Sequence, residues 1–546
     1  MQRQVTLLIA LVLIACGSGG IEALRNDDAP SPRPSPGPAP APASAGEASR
    51  FLSQATFGGN LDEINTLAAA GDYAAWIEAQ RALPVTYMSD AVQELHRRFD
   101  PEERTRAQLR AAGIPFLVEE GEVFPIFDWE FVARFAWWTT VFRAPDQLRQ
   151  KVAYALSQIV VVSDLTDETS RGEVMGAYFD ILQRHALGSY RELLDEITYS
   201  TGMGLYLTHM ANDKGDPARG IFPDENYARE LMQLFTIGLW QLEQDGSRKL
   251  DGNGQPIPTY TNADITELAR VMTGLGPNGG DVFTAIEPED HRYDRPMAVW
   301  EEHHATGPKR LIDGSFTDGT TAEDIDAALD ALVNHPNTAP FISKQLIQRL
   351  VSSNPSPAYV GRVAAVFADN GNGERGDLGA VVRAILLDPE TRDPARHTER
   401  TGKIREPVLR YIQLLKAFEL ASESGLLLNP GFRLLNLNPD PEESPDLRQR
   451  PLAPPSVFNF YRPDYQPPTL AGTGLVSPES QIIHAATVSG YNSLLREVLI
   501  FGEPMESIVE EELIEMFPNG DLEDHVPELE GIERFVPMAA DARALA

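Results

Sequence analysis

The stretch Pro223–Trp240 reads PDENYARELMQLFTIGLW and has the residue spacing of a helix with one polar and one apolar face. With about 100° of rotation per residue, its polar side chains cover one arc of roughly 140°. This polar stripe consists of Glu225, Asn226, Arg229, Glu230 and Gln233. Because Tyr227, Leu231 and Phe235 lie on the opposite arc, the stretch predicts a helix that packs against an apolar core.

Residues near both ends of this stretch predict where the helix begins and ends. Asp224 is the expected N-cap, because a carboxylate there accepts from free backbone N–H groups and is favoured by the helix dipole. Gly238 is expected to end the helix in the left-handed conformation, which glycine adopts without steric cost.

The polar stripe has two interpretations. In the first it is the solvated face of a surface helix, where Glu225 and Arg229 pair four residues apart. In the second it faces an internal cleft, which the apolar run LFTIGLW and the absence of lysine from the stripe favour. On the second interpretation we expect Glu225, Asn226, Arg229 and Glu230 to form a buried or cleft-facing polar network. Glu225 and Glu230 are then candidate catalytic carboxylates, and Asn226, Arg229 and Gln233 are candidate binding residues.

The composition limits the classes of function. The chain has 546 residues, 42% of them hydrophobic, so it can bury a large core. A formal net charge of −34 argues against a nucleic-acid partner, because phosphate binding needs clustered Lys and Arg. It also argues against adsorption to an anionic membrane surface. The acidic residues are spread along the chain and become denser after Glu503, which is typical of a solubilising surface.

The N-terminus has the pattern of a bacterial lipoprotein. Residues 1–15 contain Arg3 and then an apolar run that is too short to span a membrane, as in a secretory signal peptide. The run ends in Leu13-Ile14-Ala15-Cys16, which looks like a lipobox and predicts lipidation of Cys16. The alternative is an incidental cysteine in an ordinary signal peptide. No cysteine follows Cys16, so a mature chain would have no disulfide, thiolate metal site or cysteine nucleophile.

The remaining chain divides by composition. Residues 16–47 are rich in Pro and Ala and predict a semi-extended tether, residues 48–500 predict one large helical domain, and residues 501–546 form an acidic C-terminal segment. Long amphipathic helices are predicted over 148–163 and 178–198, with Trp137 and Trp138 in the core. The fold class is therefore mainly α.

Two stretches of the helical domain depart from the helical pattern. Residues 241–260 contain Asp-Gly and Gly-Asn-Gly turn signals and predict a small β-hairpin or structured loop. A Ca²⁺ loop is an alternative there, although the spacing of an EF-hand is absent. Residues 449–468, QRPLAPPSVFNFYRPDYQPP, predict an extended arm over the helices. Thr261-x-x-Asp264 predicts a capping box at the start of the next helix.

Motifs for chemistry are few. Residues 371–376 match GxGxxG, but a helical pattern precedes them where a dinucleotide site needs a strand, so we predict a turn between helices and no cofactor. The loop region 277–308 contains His291 and the adjacent His303 and His304, flanked by Glu301 and Glu302. A divalent metal site that combines His303 or His304 with Glu225 or Glu230 is a further possibility.

Eight stretches together resemble one bacterial family, catalogued as domain of unknown function 1800. They are RFLSQATFG (50–58), LRQKVAYALSQIVVVS (148–163), DENYARELMQLFTIGL (224–239), YTNADITELARVMTG (260–274), HHATGPK (303–309), FISKQLIQRLVSSNPSPAYV (341–360), REPVLR (405–410) and PSVFNFYRPDY (455–465). His304 matches the family's usual single histidine before Gly-x-Lys, and His303 is a local addition. Relatives tend to continue a little beyond the position of Ala546.

The resemblance implies an exported, largely α-helical protein, and it carries no catalytic residue because the family has no established activity. Family members are often encoded beside a secreted family that resembles alkaline phosphatases and sulfatases. With the lipobox, this predicts lipid anchoring to the cell envelope, at the outer membrane facing the periplasm or the surface.

Two hypotheses follow, and the sequence leaves open whether the protein is an enzyme. The first is a binding or assembly lipoprotein for a secreted partner. The second is an envelope hydrolase that acts on an extracellular polymer through a carboxylate/His cleft around Glu225, Glu230 and His304.

Overall fold

The structure, a computed structural model, describes residues 42–99, 116–119, 122–125, 129–166, 169–284, 292–418 and 449–496. The predicted signal segment, Cys16, most of the tether, His291 and the acidic C-terminal segment lie outside the described residues.

The described chain is mainly α-helical, as predicted. The helices are α1 (Ala45–Ala55), α2 (Leu61–Ala70), α3 (Tyr73–Arg81), α4 (Met88–Phe99), α5 (Trp129–Arg143), α6 (Gln147–Ser157), α7 (Gly172–His185), α8 (Tyr190–Tyr199), α9 (Thr201–Tyr206), α10 (Asn226–Gln233), α11 (Asn262–Val271), α12 (Thr321–Asn334), α13 (Thr338–Leu350), α14 (Pro357–Ala368), α15 (Leu378–Leu387), α16 (Pro389–Arg392), α17 (Pro407–Ala417) and α18 (Ala485–Arg496). Among the described helices, none has the length and apolar character needed to cross a bilayer.

Short antiparallel strand pairs and 3-10 turns complete the described elements. The strands are β1 (Phe116–Glu119) with β2 (Glu122–Pro125), β3 (Leu275–Gly276) with β4 (Ala298–Val299), and β5 (Lys309–Arg310) with β6 (Phe316–Thr317). The 3-10 turns are Pro217–Arg219, Glu301–His303, Pro394–Arg396, Pro468–Leu470 and Pro478–Gln481.

Local sequence signals explain where several helices begin. The predicted capping box is confirmed at α11, where the Thr261 backbone N–H donates to Asp264 Oδ2 over 2.8 Å. Ser44 with Glu47 forms the same arrangement at α1. Each box satisfies backbone N–H groups that the first helical turn leaves without a partner.

The helix α6 runs through the core, whereas the sequence predicted an amphipathic helix with one solvent-exposed face. Every residue from Leu148 to Leu156 is buried, including Arg149 and Lys151, so the helix is not amphipathic. It also ends at Ser157, before the buried non-helical residues 159–162. The prediction was wrong because the charged side chains here have partners inside the protein: the Arg149 guanidinium donates to the carbonyl of Gln183 over 3.2 Å.

Aromatic side chains fill the core beside α6. Trp137 and Trp138 are both 1% exposed, as predicted, and their rings meet edge to face at 5.3 Å. Phe57 contacts Trp137 and Tyr411 contacts Trp138 in the same geometry. Such pairs stabilise a core beyond the burial of their area alone. The predicted helix over 178–198 is divided into α7 and α8, which separate near Gly188.

Both predicted departures from helix are present. Residues 241–260 form a structured loop with isolated bridges, among them Leu242 to Arg248 and Leu250 to Pro256. Asp251 Oδ1 accepts from two backbone N–H groups of this loop, as is usual for a carboxylate that closes a turn. The arm over 449–468 packs inward through buried residues that include Leu452 and Tyr461, but it is a series of turns and not the extended segment that was predicted.

The GxGxxG sequence is a turn between the helices α14 and α15, as predicted. Asp369 Oδ1 accepts from the N–H groups of Gly371 and Gly373 at 2.8 and 2.9 Å. Gly376 is left-handed at φ 78°, and its carbonyl accepts from the Tyr190 N–H at 2.8 Å, which ties this turn to the start of α8.

Two alanine substitutions in this turn should differ in their effect on stability. Gly373 and Gly376 both have positive φ, so each alanine should cost about 1–2 kcal/mol in backbone strain. A Cβ at Gly376 would also lie 3.2 Å from the Tyr190 Cβ, whereas a Cβ at Gly373 would meet nothing within 4 Å. Denaturant unfolding should therefore show Gly376→Ala as the less stable variant, and equal stability would contradict this packing.

Candidate functional site

The helix in the stretch Pro223–Trp240, α10, is shorter than predicted. Glu225 occupies its N-cap position, while Asp224 Oδ1 accepts from the Asn226 N–H over 2.7 Å and so still serves the helix start. The helix ends at Gln233. Gly238 adopts the predicted left-handed conformation, with φ 70°, after a non-helical turn.

The polar stripe does not form one buried network. Arg229 Nη2 donates to Glu225 Oε2 over 3.2 Å, but the two side chains are 42% and 38% exposed. Glu225 also accepts from Thr266 Oγ1 over 2.8 Å, and Asn226 is exposed. The expectation of a common buried network was wrong for a physical reason. The apolar run LFTIGLW that motivated it begins as the helix ends, so its burial does not determine which way the stripe faces.

Glu230 is the buried member of the stripe. It is 7% exposed, and its Oε2 has no hydrogen-bond partner in the described part of the chain. Burial raises its pKa, and the charge of Arg229 opposes this only partly. Gln233 is half-buried and accepts from the Tyr260 hydroxyl at 3.4 Å. The pKa of Tyr260 is raised to about 12, first by burial and then by the negative charge of Glu230.

His304 lies in a different, fully buried group of charges. The ring is 3% exposed, with Nδ1 at 2.9 Å from the Thr273 carbonyl and Nε2 at 2.9 Å from Asp324 Oδ2. Lys309, which is 0% exposed, donates to the same carboxylate oxygen. Both ring nitrogens therefore have hydrogen-bond partners inside the protein. We call His304, Lys309 and Asp324 the buried charge triad.

Asp324 is the acceptor on which the buried charge triad converges. Its second oxygen, Oδ1, accepts from Thr317 Oγ1 at 2.6 Å and from the Gly319 N–H at 2.7 Å. Burial alone would raise its pKa, but the hydrogen bonds from Lys309, Thr317, His304 and Gly319 hold the pKa at about 2. The carboxylate therefore stays ionised inside the protein, since each lone pair has a donor.

The predicted catalytic and metal residues do not converge. Both ring nitrogens of His304 are used inside the buried charge triad, and none of its contacts reaches Glu225 or Glu230. His303 faces the other way, with Nδ1 at 3.0 Å from Asp213 and its ring stacked on Phe283 at 3.8 Å. Within the described residues, no group of three or more His, Cys, Asp and Glu side chains could hold a metal ion.

A surface loop is attached to these histidines. This docking loop, residues 213–223, is closed at its base by Asn212, whose Oδ1 accepts from the Asp224 N–H over 2.8 Å. At its start, the Lys214 N–H donates to the His303 carbonyl over 2.9 Å. Ile221 and Phe222 are 46% and 67% exposed at its end, directly before α10. The docking loop is thus bonded to His303, the residue next to His304 of the buried charge triad.

A second buried cluster lies around Glu406, which the sequence analysis did not single out. Glu406 is 1% exposed, and its Oε2 accepts from Tyr154 Oη at 2.7 Å, from Gln158 Nε2 at 2.8 Å and from Gln449 Nε2. Lys403 Nζ lies 4.0 Å from Oε1. These contacts connect Glu406, at the start of α17, to Tyr154 of the central helix α6 and to Gln449 of the arm over 449–468.

Lys151 completes the charges of this second cluster. It is 2% exposed, and its Nζ lies 5.3 Å from the centre of the Phe57 ring. Burial lowers its pKa well below the usual range for lysine, while the charge of Glu406 acts in the opposite direction. For Glu406 itself, burial would raise the pKa, but Lys403 and Lys151 hold it below its ordinary value.

The second cluster was missed because its members are far apart in sequence. Tyr154 and Glu406 are separated by 252 positions. Phe57, Tyr154, Glu406 and Tyr461 nevertheless come from four of the stretches on which the family resemblance rests. That convergence is the one sequence signal that could have indicated the cluster.

We expect Asp324→Asn to destabilise the fold by about 3–5 kcal/mol, because it leaves the ammonium of Lys309 as a buried charge without a carboxylate and removes the acceptor of His304 Nε2. Asp326→Asn, on an exposed side chain of the same helix, is the matched control and should cost at most about 1 kcal/mol. Denaturant unfolding at neutral pH compares them, and equal midpoints would contradict the triad.

The pH dependence of this stability follows from Asp324. Its folded pKa of about 2 lies below its ordinary value of 3.8, so its contribution is complete above pH 3.8. That contribution should be lost as the pH falls through about 2, and Asp324→Asn should remove this part of the acid dependence.

Comparison with known proteins places the chain in a family. No curated protein and no solved structure matches it. The model of the family described as protein of unknown function (DUF1800) matches residues 50–532, which is most of the chain. The chain therefore belongs to the DUF1800 family of proteins of unknown function.

Proposed function

We propose that this chain is an exported, lipid-anchored binding protein that docks a secreted partner through its docking loop and the start of α10. One observation carries the proposal: Ile221 and Phe222 are consecutive apolar residues, 46% and 67% exposed, at the end of a loop whose base is closed by part-buried hydrogen bonds. Exposed apolar side chains that adjoin each other mark interaction sites more often than single ones do.

The surroundings of Phe222 have the make-up of a protein interface. Asn226 is exposed, and the Glu225–Arg229 pair is half-exposed one turn further along. Aromatic and arginine side chains supply much of the binding energy in interfaces, and a polar rim around them excludes water. The loop is also held at both ends, so binding need not order it first.

The partner that we propose is the secreted protein resembling alkaline phosphatases and sulfatases that is implied by the family resemblance. A docking or assembly role needs an accessible surface and no reactive group, which agrees with the exposure of Phe222. The hydrolase alternative would need Glu225, Glu230 and His304 in one cleft. That arrangement has no support in the geometry, because the ring nitrogens of His304 are engaged with Thr273 and Asp324.

A charge on the docking loop should abolish this binding. Phe222→Asp places a carboxylate at the centre of the proposed interface, and loss of an aromatic anchor there should cost about 2 kcal/mol or more, which is over tenfold in affinity. The measurement is direct binding of the purified secreted partner to wild type and variant. Phe316→Asp is the matched control, because Phe316 is 68% exposed and lies in β6.

The control separates a specific site from general surface charge. We expect Phe316→Asp to bind like wild type. If Phe222→Asp also binds like wild type, the docking loop is not the site. If the secreted partner binds none of the three proteins, the proposed partner is wrong.

Cys16→Ser should release the protein from membranes. The motivation is the sequence Leu13-Ile14-Ala15-Cys16 followed by a tether rich in Pro and Ala. A single acyl chain anchors weakly, so the proposal requires the multiple acylation usual for bacterial lipoproteins. Fractionation of cells that express wild type and Cys16→Ser tests it, and unchanged membrane association and processing would refute the anchor.

A further inference from the structure

A cavity of about 200 Å³ lies between α1, the end of α13, α16 and the segment 397–402. Its walls include Arg50 and Gln54 from α1, Ser352, Glu390 and His397. Thr401 also lines it and is exposed, so the cavity has a side near the surface. The volume is far larger than the roughly 10–15 Å³ that one water needs.

Arg50 brings a positive charge to this cavity without a partner. Within the described residues, its guanidinium makes no hydrogen bond or ion pair, and its Nε is buried without an acceptor. Buried polar groups in native proteins almost always have hydrogen-bond partners, and each exception calls for an explanation.

A second arginine, Arg392, adjoins the same wall. It donates from Nη2 to Gln54 Oε1, and its Nε is a second buried atom without an acceptor in the described part of the chain. Its guanidinium lies 5.2 Å from the Phe51 ring centre and 5.8 Å from that of Tyr73. The Tyr73 hydroxyl is likewise buried and unpaired among the described residues. Burial and the charge of Arg50 lower the pKa of Arg392 to about 10.

The neighbouring carboxylates are engaged elsewhere. Glu390 accepts from the Ser356 backbone N–H over 3.0 Å and from its hydroxyl. Asp388 pairs with Arg362 at 2.7 Å. Glu47 is half-buried and forms the capping box of α1, and its charge acts on Arg50 without an ion pair. Although the chain has 80 acidic against 46 basic residues, neither Arg50 nor Arg392 has a counter-ion among the described carboxylates.

We propose that this cavity binds a small tetrahedral oxyanion, a phosphate or sulfate, either free or as the terminal group of a monoester. An oxyanion in this cavity would supply acceptors to the unpaired guanidinium of Arg50, and the positive charge of Arg392, which donates to the lining residue Gln54, would favour the anion. Planar guanidinium groups match phosphate and sulfate oxygens with paired hydrogen bonds. The cavity is smaller than the roughly 300–1,000 Å³ typical of sites for larger organic ligands, which fits a small anion. This inference does not depend on the docking loop.

Calorimetric titration of the full chain with phosphate, sulfate and glycerol 3-phosphate, at constant ionic strength, tests the proposal. We expect saturable binding of one anion per chain and at least tenfold weaker binding by Arg50→Gln. This variant removes no hydrogen bond of the described protein, so it should fold. Arg396→Gln is the matched control, because Arg396 is an exposed arginine nearby that pairs with Asp393 at 3.4 Å, and its binding should equal that of wild type.

The titrants distinguish the sources of the anion. Binding of inorganic phosphate or sulfate identifies a free anion, and binding of glycerol 3-phosphate alone identifies the terminal group of an ester. No saturable binding of any titrant, or equal affinity in Arg50→Gln and wild type, would overturn the proposal. If Arg50→Gln does not fold, Arg50→Lys replaces it. Arg50→Lys keeps the positive charge but lacks the planar guanidinium that can donate two parallel hydrogen bonds. Unchanged anion affinity in this variant would therefore also contradict the proposal.

Discussion

The Asp324 carboxylate, buried and ionised in the first turn of α12, makes the interactions on which the proposed surface depends. Removing an ion from water costs several kcal/mol, and the site is stable only because donors occupy both oxygens. Two of those donors, His304 and Lys309, belong to one short segment, HHATGPK. The carboxylate therefore bonds residues near both ends of that segment to α12. We expect the docking loop, which is bonded to His303, to be positioned with the segment.

The docking loop is hydrogen-bonded to the start of that segment and to the residue before it. His303 and Glu302 accept from the backbone N–H and the ammonium of Lys214 at 2.9 and 2.5 Å. Asn212 closes the base of the loop by bonding the backbone of Asp224. A loop held in this way can present an exposed aromatic side chain at small cost in ordering entropy, as a binding surface requires. On this proposal His304 has a structural role: its Nε2 is hydrogen-bonded to Asp324 and helps to position the segment next to the docking loop.

The sequence predicted features that depend on local patterns. Caps such as Thr261 with Asp264 and the left-handed Gly238 arise from neighbours along the chain, so their residue types are sufficient to predict them. The helical class and the aromatic core follow from periodicity in the same way. The direction of the polar stripe was not predictable, because α10 ends at Gln233 and solvent reaches Arg229.

The buried charged residues could not be predicted from local sequence patterns. Arg149 and Lys151 are charged residues that are typical of a surface, yet α6 is enclosed. Arg149 donates to the carbonyl of Gln183, and Lys151 lies over the Phe57 ring, so their surroundings come from positions that are distant in sequence. Asp324 and His304 lie 20 positions apart on different elements, and no spacing rule connects them. The family resemblance indicates only part of this group, because its stretches contain His304 and Lys309 but not Asp324.

Hydrogen–deuterium exchange of the Lys214 N–H tests most directly whether the buried charge triad holds the docking loop. The amide is bonded to the His303 carbonyl and should be protected in wild type and in Asp326→Asn. In Asp324→Asn, under conditions where the variant remains folded, it should exchange markedly faster while amides of the distant α14 keep their protection. Equal protection of Lys214 in all three proteins would show that the loop is held independently of Asp324 and would contradict the account.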